Sequence, residues 1–557
     1  MKKLLIFLYF TFYIFNSAFS QNPLVKQWDK RFGGTNYEHL TCLQQTVDGG
    51  YILGGLSFSN MDGDKTQPNW DTISPFTSDY WIVKIDSLGS KQWEKTYGGT
   101  NKDRLYSLMQ TTDRGYILGG FSYSGLDGDK TQPNWDSTEN TTDYWIIKID
   151  SLGNKQWDKV LGGTDSDYLF SLQETSDRGY ILGGYSYSGI DGDKTQPNWD
   201  STGNTTDFWI VKADSSGNKQ WDKDFGGTSS DRFLSLQQTA DGGYILGGNS
   251  DSDSSGNKTQ NTWGNDDFWI IKTDSFGSKQ WDKDFGGTYT DHLYSLRQTT
   301  DGGFILGGLS QSGISGDKSQ ISWGGYDYWI VKIDSVGSKQ WDKDFGGTDL
   351  EDDFGNVTQT TDNGYLIAGT SYSPISGNKT ENNLGLEQVW LVKTDSSGNL
   401  LYDKTIFTLG HDEEGFALQT KDRCYAIANM TQGGIGGYKT QPNWDPTNIA
   451  YDYWIIKFCD TTATTSFTQL PNPQSPFSIY PNPSNGSFQV SGLKFPVERI
   501  EIFNLLGETV FEHQPETRNS SEGAPSGKLE THLANGMYII IAYTDKGIFQ
   551  QKLLVQK

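Results

Sequence analysis

Cysteine is scarce in this chain, with three residues among 557. Cys42, Cys424 and Cys459 are odd in number and far apart, so their spacing predicts neither a disulfide framework nor a Cys-x-x-Cys metal site. Each of them replaces another residue type in a repeated unit described below. We therefore predict that the cysteines are incidental to the fold.

Positive charge and histidine are also in short supply. Lysine and arginine total 45 against 69 aspartates and glutamates, a net charge of −24. This field repels phosphate backbones and excludes nucleic acid as a partner, but it is compatible with a divalent cation, a basic partner or simple solubility. No Gly-x-Ser-x-Gly, His-Glu-x-x-His or P-loop pattern occurs, so we predict no catalytic residue and no organic cofactor. The five histidines, which form no motif, are His39, His292, His411, His513 and His532.

Long apolar runs are absent after the first twenty residues. Lys2 and Lys3 precede an apolar segment at 4–15, and Ala18 and Ser20 supply the small residues of a cleavage site. The apolar segment is too short to span a bilayer, so residues 1–20 are predicted to be a signal peptide. No later run of 18 apolar residues exists. We expect no transmembrane segment and export through the periplasm to the cell surface or the medium.

Internal repetition dominates residues 26–459. A Lys-Gln-Trp-Asp-Lys-like segment recurs every 60 to 65 residues. A fixed period of this size indicates one supersecondary unit whose neighbouring copies bury each other's faces. The marker residues are Trp28, Trp93, Trp157, Trp221, Trp281, Trp341 and Tyr402.

Each unit contains four strand signals. In the second copy they are Tyr106–Thr112, Tyr116–Ser122, Asp143–Asp150 and Lys155–Lys159. Tight turns of the Asp-Gly-Gly and Ser-x-Gly type separate the first from the second strand and the third from the fourth. No segment has a sustained period of 3.6 residues, so helices should be scarce. Four short antiparallel strands describe one blade of a β-propeller.

The count of strand signals predicts an all-β, seven-bladed propeller over residues 21–460. One copy of the fourth strand, Lys26–Lys30, precedes the first blade, and none follows the last. This N-terminal strand should therefore complete the last blade and close the ring. A parallel β-helix or open solenoid is the alternative, but it leaves the displaced strand without a partner. The third-strand tryptophans are Trp81, Trp145, Trp209, Trp269, Trp329, Trp390 and Trp454.

The segment Lys148–Trp157 resembles the Asp-x-x-x-Gly-x-x-x-Trp core of pyrroloquinoline-quinone-type propeller repeats. The resemblance implies that the fourth-strand tryptophan docks between adjacent blades. It implies no cofactor, because the quinone-ligand motifs are not present. The whole unit is similar to Gly-Gly and Asp-Gly-Gly-Tyr repeats of exported proteins from Bacteroidetes-type bacteria.

The long loops, which follow the second and fourth strands, should share one face of the ring, and we take it as the candidate functional face. A carboxylate there stands eight residues before the turn threonine of every blade. Converging carboxylates predict a Ca²⁺ or cationic ligand; alternatively, each one caps a tight loop by accepting backbone N–H groups. The seven residues are Glu38, Asp103, Asp167, Asp231, Asp291, Asp352 and Asp412.

The same face carries an Asp-Gly-Asp-Lys-Thr-Gln-Pro-Asn-Trp loop at Asp62–Trp70, Asp127–Trp135 and Asp191–Trp199, with a degenerate copy ending at Trp444. Its Asp-Gly-Asp start is similar to a calcium loop, but the remaining EF-hand spacing is missing. The loop tryptophans are candidates for stacking on sugars. Packing against neighbouring loops is the simpler expectation, because aromatic side chains mainly supply buried area.

A Thr/Ser/Pro-rich linker at 461–477 precedes a different domain at 478–557, where alternating apolar residues predict a small immunoglobulin-like β-sandwich. Its motifs resemble the type A C-terminal sorting domain of the type IX secretion system. The resemblance implies binding to that secretion machinery, translocation across the outer membrane and, usually, removal of the domain. An adhesion module is the alternative. The residues that carry the resemblance are Pro481, Asn482, Pro483, Gly486, Gly507, Gly536, Tyr538 and Lys552.

These patterns favour an exported, monomeric binding module with an extracellular protein or glycan as partner. A carbohydrate-active enzyme of the glycoside hydrolase or lyase-like kind is the alternative, because two carboxylates suffice for glycoside hydrolysis. Such a site needs different residues on different blades, whereas these blades are near-copies. A structural surface protein without a specific ligand is the third hypothesis.

Overall fold

The computed structural model describes residues 24–71, 76–200, 203–349 and 353–460, and, in the C-terminal part, 478–480, 484, 487–491, 497–503, 509–513, 527–530, 533–534, 536–544 and 547–555. The chain divides into two compact units, 1–463 and 464–557. The predicted signal peptide and linker lie outside the described residues. Within the described residues all regular structure is β, and no helix suited to crossing a membrane is found.

Seven four-stranded antiparallel sheets, one per blade, form the first unit. The inner strands are Glu38–Gln45, Asp103–Gln110, Asp167–Glu174, Asp231–Gln238, Asp291–Gln298, Phe354–Gln359 and Asp412–Gln419. The second strands are Tyr51–Ser57, Tyr116–Ser122, Tyr180–Ser186, Tyr244–Ser250, Phe304–Ser310, Tyr365–Ser371 and Tyr425–Thr431. The third strands are Asp79–Ile85, Asp143–Ile149, Asp207–Ala213, Asp267–Thr273, Asp327–Ile333, Gln388–Thr394 and Asp452–Asp460. The outer strands of blades 1 to 6 are Lys91–Tyr97, Lys155–Leu161, Lys219–Phe225, Lys279–Phe285, Lys339–Phe345 and Leu400–Ile406.

The N-terminal strand Leu24–Phe32 is the outer strand of blade 7. It pairs antiparallel with Asp452–Asp460, with Phe32 opposite Tyr453 and Leu24 opposite Asp460. The inner strands of blades 1 and 7 also contact each other, so the ring is closed. The predicted seven-bladed propeller is therefore confirmed, and the β-helix and solenoid alternatives are wrong.

Aromatic residues of the third strands fill the space between blades. Trp81 is fully buried, and its ring centroid lies 4.9 Å from that of Tyr453 in the preceding blade. The outer-strand tryptophan docks between blades as the quinoprotein resemblance implied: Trp28 of blade 7 lies 5.8 Å from Tyr51 of blade 1, centroid to centroid. Close approach also needs glycine, because a Cβ on Gly54 would lie 2.9 Å from Leu105 Cδ2 of the next blade.

The inner strand of blade 2 begins three residues earlier than the sequence predicts. In blade 2 the strand starts at Asp103 rather than Tyr106. The Asp103 N–H donates to the Ser78 carbonyl of the preceding blade at 2.7 Å, and this extends the ordered backbone to the carboxylate. A contact between blades sets this boundary, so the local pattern does not reveal it.

The prediction that all cysteines are incidental is wrong for two of them. Cys424 and Cys459 form a disulfide, whereas Cys42 is free and buried. The register of blade 7 places Tyr425 opposite Phe458, so the flanking residues 424 and 459 become cross-strand neighbours. Two cysteines 35 residues apart are thereby joined across one hairpin.

The described part of the second unit contains two antiparallel sheets. One comprises Ser478–Tyr480, Ser487–Ser491 and Gly527–Glu530; the other comprises Val497–Phe503, Thr509–His513, Gly536–Thr544 and Gly547–Val555. Phe488, Ile502, Ile540 and Leu553 belong to their common apolar core. The immunoglobulin-like topology stays a prediction.

Three of the sorting residues lie in strands of the second unit. Gly536 and Tyr538 share one strand and Lys552 lies in the next. The Tyr538 ring is buried, and its hydroxyl donates to the Ala534 carbonyl at 3.0 Å. Outside the described residues lie Pro481, Asn482, Pro483, Gly486 and Gly507.

Candidate functional site

The long loops converge on one face of the propeller, opposite the short turns, and buried polar contacts hold them in place. In blade 1, Lys65 is 2% exposed and its ammonium group donates to the Ser59 carbonyl at 2.9 Å. The Asn69 side chain donates to the Ser57 carbonyl at 2.8 Å. The Asp62 carboxylate accepts the Thr35 N–H at 3.0 Å. The Asp-Gly-Asp segment is therefore part of a hydrogen-bonded loop scaffold.

The ring of repeated carboxylates is buried between the blades. Six of the seven are described, and Asp352 lies outside the described residues. Asp103 is typical: it accepts the Gly99 N–H at 2.7 Å and the Ser124 hydroxyl at 2.9 Å. These contacts are those of the loop-capping alternative. No group of three or more His, Cys, Asp or Glu side chains is arranged to share a metal ion among the residues described, and the calcium hypothesis stays a prediction.

Five of the six described ring carboxylates also face a third-strand aspartate of the preceding blade; Asp412 is the exception, because Gln388 stands at that position in blade 6. Asp167 meets Asp143 in this way, and one oxygen of each has no hydrogen-bond partner among the described groups. Burial raises the pKa of Asp143 to about 7 and the pKa of Asp167 to about 8, and the Asp143 charge contributes to the latter. Near neutral pH such a pair therefore holds a proton.

Six tryptophans stand on the long-loop face at equivalent places, and we call them the tryptophan arc. Between 40% and 56% of each side chain is exposed. The backbone N–H of Trp135 donates to Asp143 at 2.7 Å, and its indole N–H donates to Asp193 of the next blade at 3.0 Å. We call this contact between successive blades the indole clamp. The arc consists of Trp70, Trp135, Trp199, Trp263, Trp323 and Trp444.

The arc tryptophans pack against neighbouring loops and also leave part of each ring exposed, so neither hypothesis for them excludes the other. One side of Trp199 packs closely on the next loop, since a Cβ on Gly256 would lie 2.7 Å from its ring. The other side is open to solvent. Sequence reasoning missed Trp263 and Trp323, because their loops are shorter and lack the Thr-Gln-Pro-Asn-Trp motif. A tryptophan a few residues before the third-strand aspartate is the signal that all six share.

The indole clamp is missing between blades 6 and 7. Leu384 occupies the tryptophan position of blade 6, and Tyr438 occupies the acceptor position of blade 7, where Asp64, Asp129 or Asn257 stands in other blades. A cavity of about 700 Å³ opens at this junction. Its lining includes Leu386, Leu409, His411, Gln432, Ile435 and Asn448.

His411 joins that cavity to a chain of hydrogen bonds. Its Nε2 lies 2.7 Å from Glu387 Oε2, and its Nδ1 lies 2.6 Å from the Tyr451 hydroxyl. Tyr451 donates its single proton to Glu413 at 2.6 Å, so His411 Nδ1 must be the donor to Tyr451. The hydrogen bond to Glu387 raises the pKa of His411. The carboxylates around the ring therefore favour its protonated form, in which both nitrogens are donors.

The inner strands surround the central channel of the ring. All three propeller histidines lie at the mouth of this channel on the long-loop face, each beside a carboxylate. His39 Nε2 is 3.2 Å from Glu414 and His292 Nε2 is 3.0 Å from Asp266. His39 and His292 directly follow the ring carboxylate, at a position where the blades are not copies of one another. The residues there are His39, Arg104, Tyr168, Arg232, His292, Asp353 and Glu413. Comparing repeats column by column would have revealed this variation, whereas a search for linear motifs does not.

The C-terminal unit matches a known family. Residues 478–556 match the model of the secretion system C-terminal sorting domain. The chain is an exported β-propeller protein. The sorting domain implies interaction with the type IX secretion machinery and delivery to the cell surface or the extracellular space.

Other known proteins show weaker similarity to this chain. The regulatory protein FlaEY of Caulobacter vibrioides is 26% identical over 231 residues, which are 40% of this chain and 24% of that protein, so only about a quarter of FlaEY is matched. The polysaccharide lyase Uly1 is 9% identical, with 78% of this chain and 99% of that one covered and a TM-score of 0.43. The Pan2 WD40 domain of Neurospora crassa is 8% identical, with 78% and 96% covered and a TM-score of 0.42. A Dyadobacter fermentans protein of unknown function is 9% identical, with 79% and 99% covered and a TM-score of 0.40. The propeller assignment rests on the strand pairing described above.

Proposed function

We propose that this exported propeller binds extracellular glycans through the tryptophan arc. The observation that carries the proposal is how the indole rings are held and which part of them is exposed. In five of them the N–H group already donates to a side chain of the next blade, at 2.7 to 3.0 Å. The exposed part of each of these five rings is therefore an apolar face held in one orientation. The C–H face of a sugar ring is also apolar, and burying it against a rigid aromatic ring gains binding energy at little entropic cost.

Repetition of the arc suits a polymer better than a small ligand. Equivalent rings recur around one face, so a glycan chain bound to one indole meets the next at high effective concentration. Weak contacts then add up to useful avidity. The acidic side chains beside the rings, including Asp129 and Asp193, and the net charge of −24 favour a neutral polysaccharide over a polyanionic one.

The delivery route completes the proposal. Residues 1–20 would direct the chain into the periplasm, and the sorting domain would then carry it across the outer membrane as a monomer. Ca²⁺ at the ring carboxylates remains a proposal to test by calcium titration of the same protein.

The test is polysaccharide binding by the double variant Trp135→Ala, Trp199→Ala. Affinity electrophoresis in neutral polysaccharides should show at least about a tenfold loss of affinity, which corresponds to about 1.4 kcal/mol. Phe276→Ala is the matched control, because it removes an aromatic ring that is 72% exposed in a short turn on the opposite face. Equal binding by the double variant and the control would contradict the proposal.

A carbohydrate-active enzyme is the second candidate. The observation in its favour is the variation at the channel mouth, where histidines, arginines and carboxylates of different blades meet. Acid–base chemistry needs such unlike groups. New reducing ends or unsaturated sugar products released from a bound glycan would support this candidate, and their absence would leave a binding protein. Failure to bind any glycan would favour a structural surface protein.

A further inference from the structure

We infer that the cavity between blades 6 and 7 is a subsite for one or two neutral sugar residues, where a glycan carried by the tryptophan arc is recognised by its hydroxyl groups. The inference rests on the proposed function. It deepens that function by naming a specificity site at the junction of blades 6 and 7, where leucine stands in place of an arc tryptophan.

The origin of the cavity is visible in the repeat. At the other junctions a tryptophan reaches across to the next loop, as Trp70 does to Asp129 at 2.8 Å. Between blades 6 and 7 both members of this pair are different at once. Leu384 is too short to bridge the loops, and Tyr438 turns its ring to Phe407, centroid to centroid 4.8 Å away. Phe407 packs on Gly437, where the other loops pack an indole, and the open space is lined instead by Leu386, Leu409 and Ile435.

The size and walls of the cavity suit a sugar. About 700 Å³ lies in the range of small-molecule sites. Leu386, Leu409 and Ile435 provide apolar walls, while Gln432 and Asn448 provide amides. The Gln432 side chain is held in place, because its amide donates to the Ile449 carbonyl at 2.8 Å. Apolar walls with a few oriented polar groups match the two faces of a pyranose.

The His411 chain makes one wall rigid. Glu387 is 2% exposed and holds one side of the imidazole, while Tyr451 and Glu413 hold the other. Tyr372 adds a hydroxyl 2.9 Å from His411 Nε2. Side chains locked in this way lose little entropy when a ligand binds. Blades 3 and 4 carry Ser166 and Ser230 at the His411 position. This chain of hydrogen bonds is therefore specific to the junction of blades 6 and 7.

Charge selects neutral sugars over acidic ones. Glu387 and Glu413 flank His411, and Glu414 follows at the channel mouth beside His39. Two carboxylates surround the one histidine, so their net negative field disfavours a uronate or a sulfate ester. The site should therefore prefer a neutral hexoside to the corresponding hexuronide.

The experiment measures binding of methyl hexosides and neutral disaccharides to the full chain by saturation-transfer NMR and calorimetry, with methyl glucuronide as the acidic probe. The wild type should bind a neutral probe at millimolar concentration and the glucuronide at least tenfold more weakly. His411→Ser, which copies blades 3 and 4, should weaken binding at least tenfold. Ile435→Trp should fill the cavity from its apolar wall and abolish binding. Near-ultraviolet circular dichroism checks that each variant is folded.

The outcomes separate this inference from the proposed function. Trp135→Ala, Trp199→Ala should lower polysaccharide affinity and leave binding of the small probes unchanged. Small-probe binding without any effect of the arc variant on polysaccharide would overturn the proposed function alone. No neutral probe bound by the wild type, equal binding by the variants of this junction, or equal affinity for the glucuronide would each overturn the subsite.

Discussion

Replacing Asp143 by asparagine should flatten the pH dependence of propeller stability. Asp143 is fully buried, and one of its oxygens accepts the Trp135 N–H at 2.7 Å. Its other oxygen has no hydrogen-bond partner among the described groups, and the buried Asp167 carboxyl lies beside it. An asparagine keeps an acceptor for Trp135 and offers an N–H group to Asp167. The variant therefore removes a buried charge without removing the loop contact.

The direction in which stability changes with pH follows from the raised pKa of Asp143. Burial raises the pKa of Asp143 from 3.8 to about 7, so the folded state binds a proton that the unfolded state releases. Stability from this group is complete below about pH 4 and is lost as the pH rises through 7. One pKa unit corresponds to about 1.4 kcal/mol, so the wild type should lose about 2–3 kcal/mol through Asp143 between pH 5 and pH 8.

Urea unfolding followed by tryptophan fluorescence at several pH values measures this difference. Asp143→Asn should narrow the gap in unfolding free energy between pH 5 and pH 8 by about 2–3 kcal/mol. Asp165→Asn is the control, because it removes the same charge from an exposed loop position nearby. An unchanged gap in Asp143→Asn would refute the claim that the carboxyl pairs between blades hold protons.

Two further predictions concern ring closure. Cys424→Ser removes the disulfide across a 35-residue separation and should lower the unfolding free energy by about 2–4 kcal/mol; the wild type in reducing agent should show the same loss, and a variant as stable as the oxidised wild type would contradict it. Deleting residues 24–32 leaves the third strand of blade 7 without its outer partner, so thermal unfolding should lose cooperativity and protease should cut blade 7 first. Uniform resistance to protease in the deletion variant would show that ring closure does not stabilise this blade.

Much of the propeller could be read from the chain because each blade is a local unit. Strands such as Tyr116–Ser122 are buried runs bounded by turn residues, and their period of 60 to 65 residues gave seven copies and the displaced strand at Lys26–Lys30. The tail motifs likewise gave the sorting domain. These features depend on residues close together in sequence, where propensity and turn chemistry act.

The groups at the candidate site are far apart in sequence and come together only in the folded ring. His39 and His411 are hundreds of residues apart, and only ring closure brings blades 7 and 1 together. The pairing of Asp143 with Asp167, the Cys424–Cys459 bond and the indole clamps are likewise contacts between strands or blades. A repeat pattern shows that such positions recur, but not which side of a residue is buried.

The sequence by itself therefore determined the strands, the blade count, the closing strand and the exported state, because each is encoded within one repeat or one short motif. Only the tertiary structure decided which carboxylates are buried in pairs, which indole faces are exposed and where the repeat leaves a cavity. Those properties arise where neighbouring blades meet, and their energetics depend on desolvation and packing between residues that the chain keeps far apart.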